Sequence, residues 1–269
     1  MVSRSQQLTL PAMNASSTCI GTACGTAARF HGLARPASIE TREEVERVGR
    51  ERLHPSITNS SWLVLRERRR LFEQWLAQLP RQRLSVLDVG GRIQPYRALL
   101  KGREEKYVAI DVRSGPLVDV RARAEQIPLP DECFDLAICT QVLQYVADPA
   151  RALMEIYRLL KPGGFLLLSV PAAYPRDSEH EYWRFLPNGI RKLLCSFGRI
   201  EIVPEGGTIS GVCRTVAVWI TMFARPPFLR ALLQHSAVPA VNLGAIALEP
   251  ILGKGNDQFA VNYSIWAQK

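Results

Sequence analysis

Paired cysteines are missing from this 269-residue chain. Its six cysteines, at positions 19, 24, 133, 139, 195 and 213, include no CxxC pair, which removes the zinc-ribbon class and leaves no metal site to expect. Cys139 and Cys195 fall in apolar contexts and read as small packing residues, while Cys19 and Cys24 are too isolated to be ligands. Long apolar runs are missing too. No stretch of 18 consecutive apolar residues occurs and no secretory hydrophobic segment follows the start, so a reducing cytoplasm is the expected compartment. The chain lacks a GxxxxGK[ST] phosphate loop and a complete GxGxxG. Without the latter, and with no dehydrogenase acid-base pair in view, an NAD-type oxidoreductase is disfavoured. The formal net charge is +9, yet basic runs interleaved with aromatics are absent. The arginines alternate with glutamates in residues 41–52 and 66–73, the pattern of a solvated helix face, so nucleic acid is not an expected partner.

What is present is a globular composition, 47% hydrophobic and 22% charged. Residues 86–96 read VLDVGGRIQPY and residues 107–111 read YVAID. A buried strand runs into an acidic residue, a Gly-Gly turn and a helix start. A second strand then ends on a carboxylate about 20 residues later, the spacing at which an acid meets a ribose in nucleotide-binding α/β folds. Glycine lets backbone approach a ligand, and a carboxylate can accept two hydrogen bonds from a ribose diol. Further strands are expected at 134–139 (FDLAIC) and 165–170, separated by helical pattern at 141–145 and 149–160 and by Lys161-Pro162-Gly163-Gly164, a turn between helix and strand.

In this order the segments resemble the class I S-adenosylmethionine (SAM)-dependent methyltransferases, specifically the type 11 group, over roughly residues 60–200 and more loosely at the C-terminus. The resemblance implies a Rossmann-like, doubly wound α/β sheet, mostly parallel, with an antiparallel final strand in residues 259–267. It also implies SAM as cofactor and methyl transfer to a small molecule. The family loop D-x-G-x-G-x-G is matched at Asp88 and Gly90, with Gly91 between, but Arg92 and Gln94 replace the next two glycines. Arg92 either crowds the methionine part of SAM or pairs with its carboxylate. Asp111 matches the acid that holds the ribose hydroxyls. Arg123-Ala124-Glu125 stands where the family often has Asp-Ala-Glu. Arginine cannot accept the adenine amino group, so Ala124 backbone, Glu125 or Ile127 would line that subsite. Gln141, after the fourth strand, is the candidate polar contact to SAM or acceptor, and Thr140 beside it is a candidate helix cap.

The loop 174–185 (YPRDSEHEYWRF) follows the fifth strand and gathers Asp177, His180, Glu181, Tyr182, Trp183 and Arg184. His180 is the candidate catalytic base, since an ordinary histidine pKa of about 6.5 suits proton transfer near neutrality. A surface histidine is the plainer alternative. The HEYWRF stretch resembles family members of glycan modification, which makes a sugar hydroxyl on a small-molecule, nucleotide-linked or lipid-linked glycan the first acceptor class. A small aromatic or quinone-like acceptor is second. A catalytically silent SAM-fold binding protein is the alternative that Arg92, Gln94 and Arg123 suggest.

Around this core, residues 1–38 read as a flexible tail and 39–269 as one domain. Helices are expected at 40–52 and 61–79, the second capped by Ser60 or Ser61. Residues 212–252 read as a helical insertion too interrupted to span a membrane. It is either a lid that also suits peripheral contact with an anionic membrane surface, or part of the domain's core or a dimer face. Oligomeric state is left open.

Overall fold

The computed structural model describes residues 41–79, 83–176, 178–253 and 256–269. The expected tail, and Asp177 of the candidate loop, lie outside the described residues.

Two helices open the fold. Thr41 and Glu44 form a reciprocal capping box that starts α1 (Arg42–Leu53). In α2 (Trp62–Gln78) the residues at three- and four-residue spacing, from Val64 and Leu65 through Leu71, Phe72, Trp75 and Leu76, face inward. Arg68 lies in phase with that stripe and is buried with it, so the 66–73 segment is not wholly a solvated face. Ser61 makes no side-chain cap on α2.

The strands are β1 (Leu84–Val89), β2 (Glu104–Asp111), β3 (Val120–Arg121), β4 (Phe134–Thr140), β5 (Leu160–Pro171), β6 (Ile200–Pro204) and β7 (Asn262–Gln268), with α3 (Pro149–Leu159) and α4 (Pro187–Leu193) between them. They form one seven-stranded sheet in the order β3-β2-β1-β4-β5-β7-β6. The pairs from β3 to β5 are parallel, and β7 runs antiparallel to both β5 and β6. Period-two alternation divides the core. Val86, Leu136, Ile138, Leu167 and Trp266 pack towards α2, where Trp75 stacks on Trp266 and Trp266 on Phe165. Leu87, Val89, Ala137, Cys139, Leu166, Leu168 and Ile265 pack on the other face with Leu153 and Ile156 of α3 and Ile190 of α4.

The sheet departs from sequence expectation in local ways. No α-helix follows the Gly-Gly turn, only a 3-10 turn, Arg97–Leu100. The left-handed backbone of Gln94 (φ 41°) and of Lys101 (φ 55°) brackets it and leaves too few residues for a longer helix. Leu143–Tyr145 is likewise a single 3-10 turn, entered through Gln141 at φ 57°. Lys161 to Gly164 lies within β5 as a register irregularity, with Gly163 at φ 77°. Cys139 is buried as expected, but Cys195 is exposed and does not pack.

Between β6 and β7 the chain forms α5 (Thr208–Phe223), α6 (Pro227–His235) and α7 (Ala237–Leu252), beginning ahead of the expected 212. Residues Pro227–Leu252, α6 and α7 meeting at Ser236, are by length and composition alone long and apolar enough to cross a bilayer, where the sequence reads as too interrupted; their apolar window has a mean hydropathy of 1.3 and is 17% buried. Arg225 and Pro226 lie between α5 and α6, and Pro227 opens α6, but Pro239 lies in the first turn of α7, Pro250 inside α7 and Arg230 inside α6.

Candidate active site

The C-terminal ends of the parallel strands bring together the Gly90 turn after β1, Asp111 at the end of β2 and Gln141 after β4. This is the edge at which open α/β sheets take their ligands. The turn is tightly built. Gly90 has φ 77°, and a Cβ there would stand 2.3 Å from Val142 Cγ2. A Cβ on Gly91 would meet Asp88 Cγ at 2.8 Å and Ala109 Cβ at 2.9 Å. Both amides of the turn donate to the Ile110 carbonyl, at 2.8 and 3.1 Å. Gln94 keeps a left-handed backbone at the third glycine position of the motif, and its side-chain amide donates to the Leu117 carbonyl at 2.6 Å.

Asp88 lies buried beneath the turn and accepts the Tyr107 hydroxyl at 2.6 Å. Burial pushes its carboxyl up to about 7, the Tyr107 hydroxyl opposing and the Asp111 charge adding. With its folded pKa above the unfolded value, Asp88 weakens stability progressively as pH rises from the ordinary carboxylate range through about 7. Asp111 is half-buried, and its Oδ1 accepts the Arg113 amide at 2.8 Å, which leaves acceptor capacity for a diol. Ala124 and Glu125 are buried nearby in sequence, with Arg123 donating to Glu125 Oε1 at 2.9 Å and Arg151 to the Glu125 carbonyl at 3.1 Å. The Arg92 stem runs beside Gly115 in the β2–β3 loop, so it stands on the Asp111 side of the turn.

On the other side of the turn a cavity of about 280 Å³ opens between α1, the start of α2, α5 and the strand ends, with Ser61, Arg68, Gln141, Arg214 and Asn262 in its lining. Its floor is a buried polar network. Arg68 grips Glu205 with two parallel bonds of 2.7 Å, and both side chains are at most 1% exposed. Glu205 Oε1 also accepts Ser169 (2.7 Å) and Ser264 (2.6 Å), and Oε2 accepts Asn262 (3.2 Å). Gln141 joins through Ser169 Oγ at 3.0 Å, which helps to hold its left-handed backbone. Burial opposes the charge on each partner. The partner's opposite charge and the hydrogen bonds prevail, holding Arg68 above and Glu205 below their ordinary values.

Arg214 of α5 is the second buried cation. Its Nη2 donates to Ser61 Oγ at 3.3 Å and its guanidinium lies 4.1 Å over the Tyr174 ring, but Nε and Nη1 meet no acceptor among the described residues. Ser61 therefore serves Arg214 rather than the helix end. An unsatisfied buried donor costs about 1–3 kcal/mol.

His180 is not brought to this cavity. Its side chain is 75% exposed and lies 3.8 Å from Glu179. Around it, Tyr182 donates its amide to the Gln144 carbonyl at 2.7 Å, and Trp183 Nε1 donates to the Val146 carbonyl at 2.8 Å. The loop's aromatic segment is thus pinned to the turn after β4. No group of three metal-ligating side chains occurs among the described residues.

Arg68, Glu205 and Arg214 went unmarked in the sequence. For the two arginines the signal was phase: Arg68 stands three to four residues from Val64, Leu65, Leu71 and Phe72, and Arg214 stands three to four residues from Ser210, Gly211, Ala217 and Val218, all buried.

Strand order and strand-edge geometry define a class I methyltransferase fold. The "Methyltransferase domain" family model matches residues 87–168, which run from β1 into β5. A malonyl-[acyl-carrier protein] O-methyltransferase of Serratia marcescens is 29% identical over 47% of this chain and 57% of its own length. A ubiquinone/menaquinone biosynthesis C-methyltransferase of Psychromonas ingrahamii is 41% identical over 24% of this chain and 28% of its own. The chain thus spans less than two thirds of either relative. A solved SAM-dependent methyltransferase from Archaeoglobus fulgidus superposes with a TM-score of 0.49 at 16% identity, over 83% of this chain and 99% of that one.

Proposed function

We propose that this protein is a SAM-dependent methyltransferase acting on a small molecule or a linked glycan. The observation that carries the reading is the placement of the matched segment 87–168. It holds the turn, Asp111 and Gln141, three features that meet at one strand edge beside one cavity. The site residues fit the cofactor. Asp111 would hold the ribose hydroxyls, Ala124 and Glu125 would border the adenine, and Gln141 would face the methionine end. Bound there, SAM supplies an electrophilic methyl on a sulfonium. The chain's own contribution is alignment of the acceptor and exclusion of water. Calorimetric titration of the full chain should give saturable binding of SAM and of S-adenosylhomocysteine and none of NAD. Binding of NAD alone would reverse the assignment. Absence of all three would favour the silent-fold reading, towards which the tied Gly90 and Gly91 amides lean.

The acceptor class remains the one read from the HEYWRF loop, a sugar hydroxyl. A hydroxyl must lose its proton, and His180 would have to move in from its exposed position to take it. Contact with a membrane surface is supported by α5–α7, where Trp219, Phe223, Phe228, Leu232 and Ile251 are exposed beside Arg225 and Arg230. Co-sedimentation with vesicles containing an anionic lipid should retain the protein, and less so at high salt. Equal recovery in the supernatant with and without vesicles would remove this part of the reading.

A further inference from the structure

The cavity holds more positive charge than its own walls neutralise. Glu205 is the buried carboxylate at its floor, and its oxygens are already taken by Arg68, Ser169, Ser264 and Asn262. A carboxylate offers about four lone-pair sites, so Glu205 has none left for Arg214. At the rim, Glu51 pairs with Arg47 on the exposed side of α1, and Arg52 adds a further cation beside it. Arg214 is 6% exposed and lines the cavity with two of its three nitrogens unpartnered among the described residues. Burial holds its pKa below the ordinary value, with the Arg68 charge acting in the same direction and Tyr174 and the Glu205 charge opposing. Proteins seldom leave a buried guanidinium in this state unless something outside the chain completes it.

We propose that Arg214 is the anchor for an anionic oxygen group, a carboxylate or a phosphate, carried by the methyl acceptor. The proposal rests on the methyltransferase reading, and it narrows the acceptor to an acidic molecule or one linked through phosphate. Arg214 belongs to α5, which follows β6, while the turn and Asp111 belong to β1 and β2 on the other side of Gln141. That separation assigns Arg214 to the acceptor and not to the cofactor. Ser61 Oγ, 3.3 Å from Nη2, and Asn262 and Gln141 in the same lining supply further polar groups around the anion. The Tyr174 ring, 4.1 Å from the guanidinium carbon, helps to hold the cation in place.

The test uses the full chain saturated with S-adenosylhomocysteine, titrated calorimetrically with malonate, inorganic phosphate and neutral malonamide. Wild type should bind at least one of the two anions and not malonamide, and the stronger of the two separates carboxylate from phosphate. Arg214→Met should weaken that anion at least tenfold, leave S-adenosylhomocysteine affinity unchanged, and melt at the same temperature or higher because an uncompensated buried charge has gone. Arg214→Lys, which keeps the charge, should retain part of the binding. Three outcomes overturn the proposal: no anion binding by wild type, unchanged anion affinity in Arg214→Met, or a lowered melting point in Arg214→Met, which marks a structural arginine. Loss of S-adenosylhomocysteine affinity in the variant would reassign Arg214 to the cofactor. Should wild type fail to bind S-adenosylhomocysteine at all, the methyltransferase reading fails by itself, and the anion arms still report on Arg214.

Discussion

Glu205→Ala should destabilise the protein by about 3–5 kcal/mol, the cost of breaking a buried ion pair from one side. The variant leaves Arg68 and Arg214 buried with no carboxylate between them, and it strips Ser169, Ser264 and Asn262 of a shared acceptor. For a chain of this size the loss corresponds to a fall in melting temperature of roughly 10 °C. The pair Arg68→Met with Glu205→Leu should recover only part of it, because removing both charges removes both desolvation costs but still leaves Ser169, Ser264 and Asn262 without their acceptor. The pH dependence has a definite sign. The folded pKa of Glu205 lies below its ordinary value, since Arg68 and the hydrogen bonds outweigh the effect of burial. Its contribution is therefore complete above the unfolded glutamate value of about 4.3 and is lost as pH falls through the folded value. Denaturant melts of wild type and Glu205→Ala should differ fully at pH 7, and the difference should begin to shrink only as pH falls below about 4.3. Equal stability at pH 7 would mean that the network is not the keystone of the cavity floor.

Asp111→Ala should weaken SAM at least tenfold while leaving the fold intact. A hydrogen bond to a charged group contributes about 1.5–3 kcal/mol, and 1.4 kcal/mol is a factor of ten. Asp111 is half-buried at the end of β2, and one oxygen serves the Arg113 amide, so its removal leaves no charge stranded in the core. Asp111→Asn should fall between, since it keeps one acceptor. Unchanged SAM affinity in a folded Asp111→Ala variant would take the ribose away from this residue.

The sheet was legible because its longer strands carry runs of apolar residues bounded by turn chemistry, while the two-residue β3 carries none and gave no signal. VLDVGG, YVAID and FDLAIC fall on β1, β2 and β4 with small shifts at their ends. The short turns were not legible, since nothing in RIQPYRALL announces the left-handed Gln94 that stops a helix there. At the site, Gly90, Asp111 and Gln141 are grouped as the strand-end pattern implies, for that rule depends on topology alone. His180 fails to join them because a loop rich in charged and aromatic residues can fold either way over its strand, and Trp183 ties it to Val146. The Arg68–Glu205 pair spans 137 positions in the sequence, and no local pattern announces such a partner. Only the misplaced charge on an apolar helix stripe hints at it.

The crystal structure of the full chain with S-adenosylhomocysteine is the most direct test of the account. The ribose hydroxyls should lie within hydrogen-bond distance of the Asp111 carboxylate, and the sulfur should stand near Gln141 and face the cavity between Ser61, Arg68 and Arg214. A ligand bound elsewhere, or with its ribose away from Asp111 and its sulfur turned from that cavity, would contradict it.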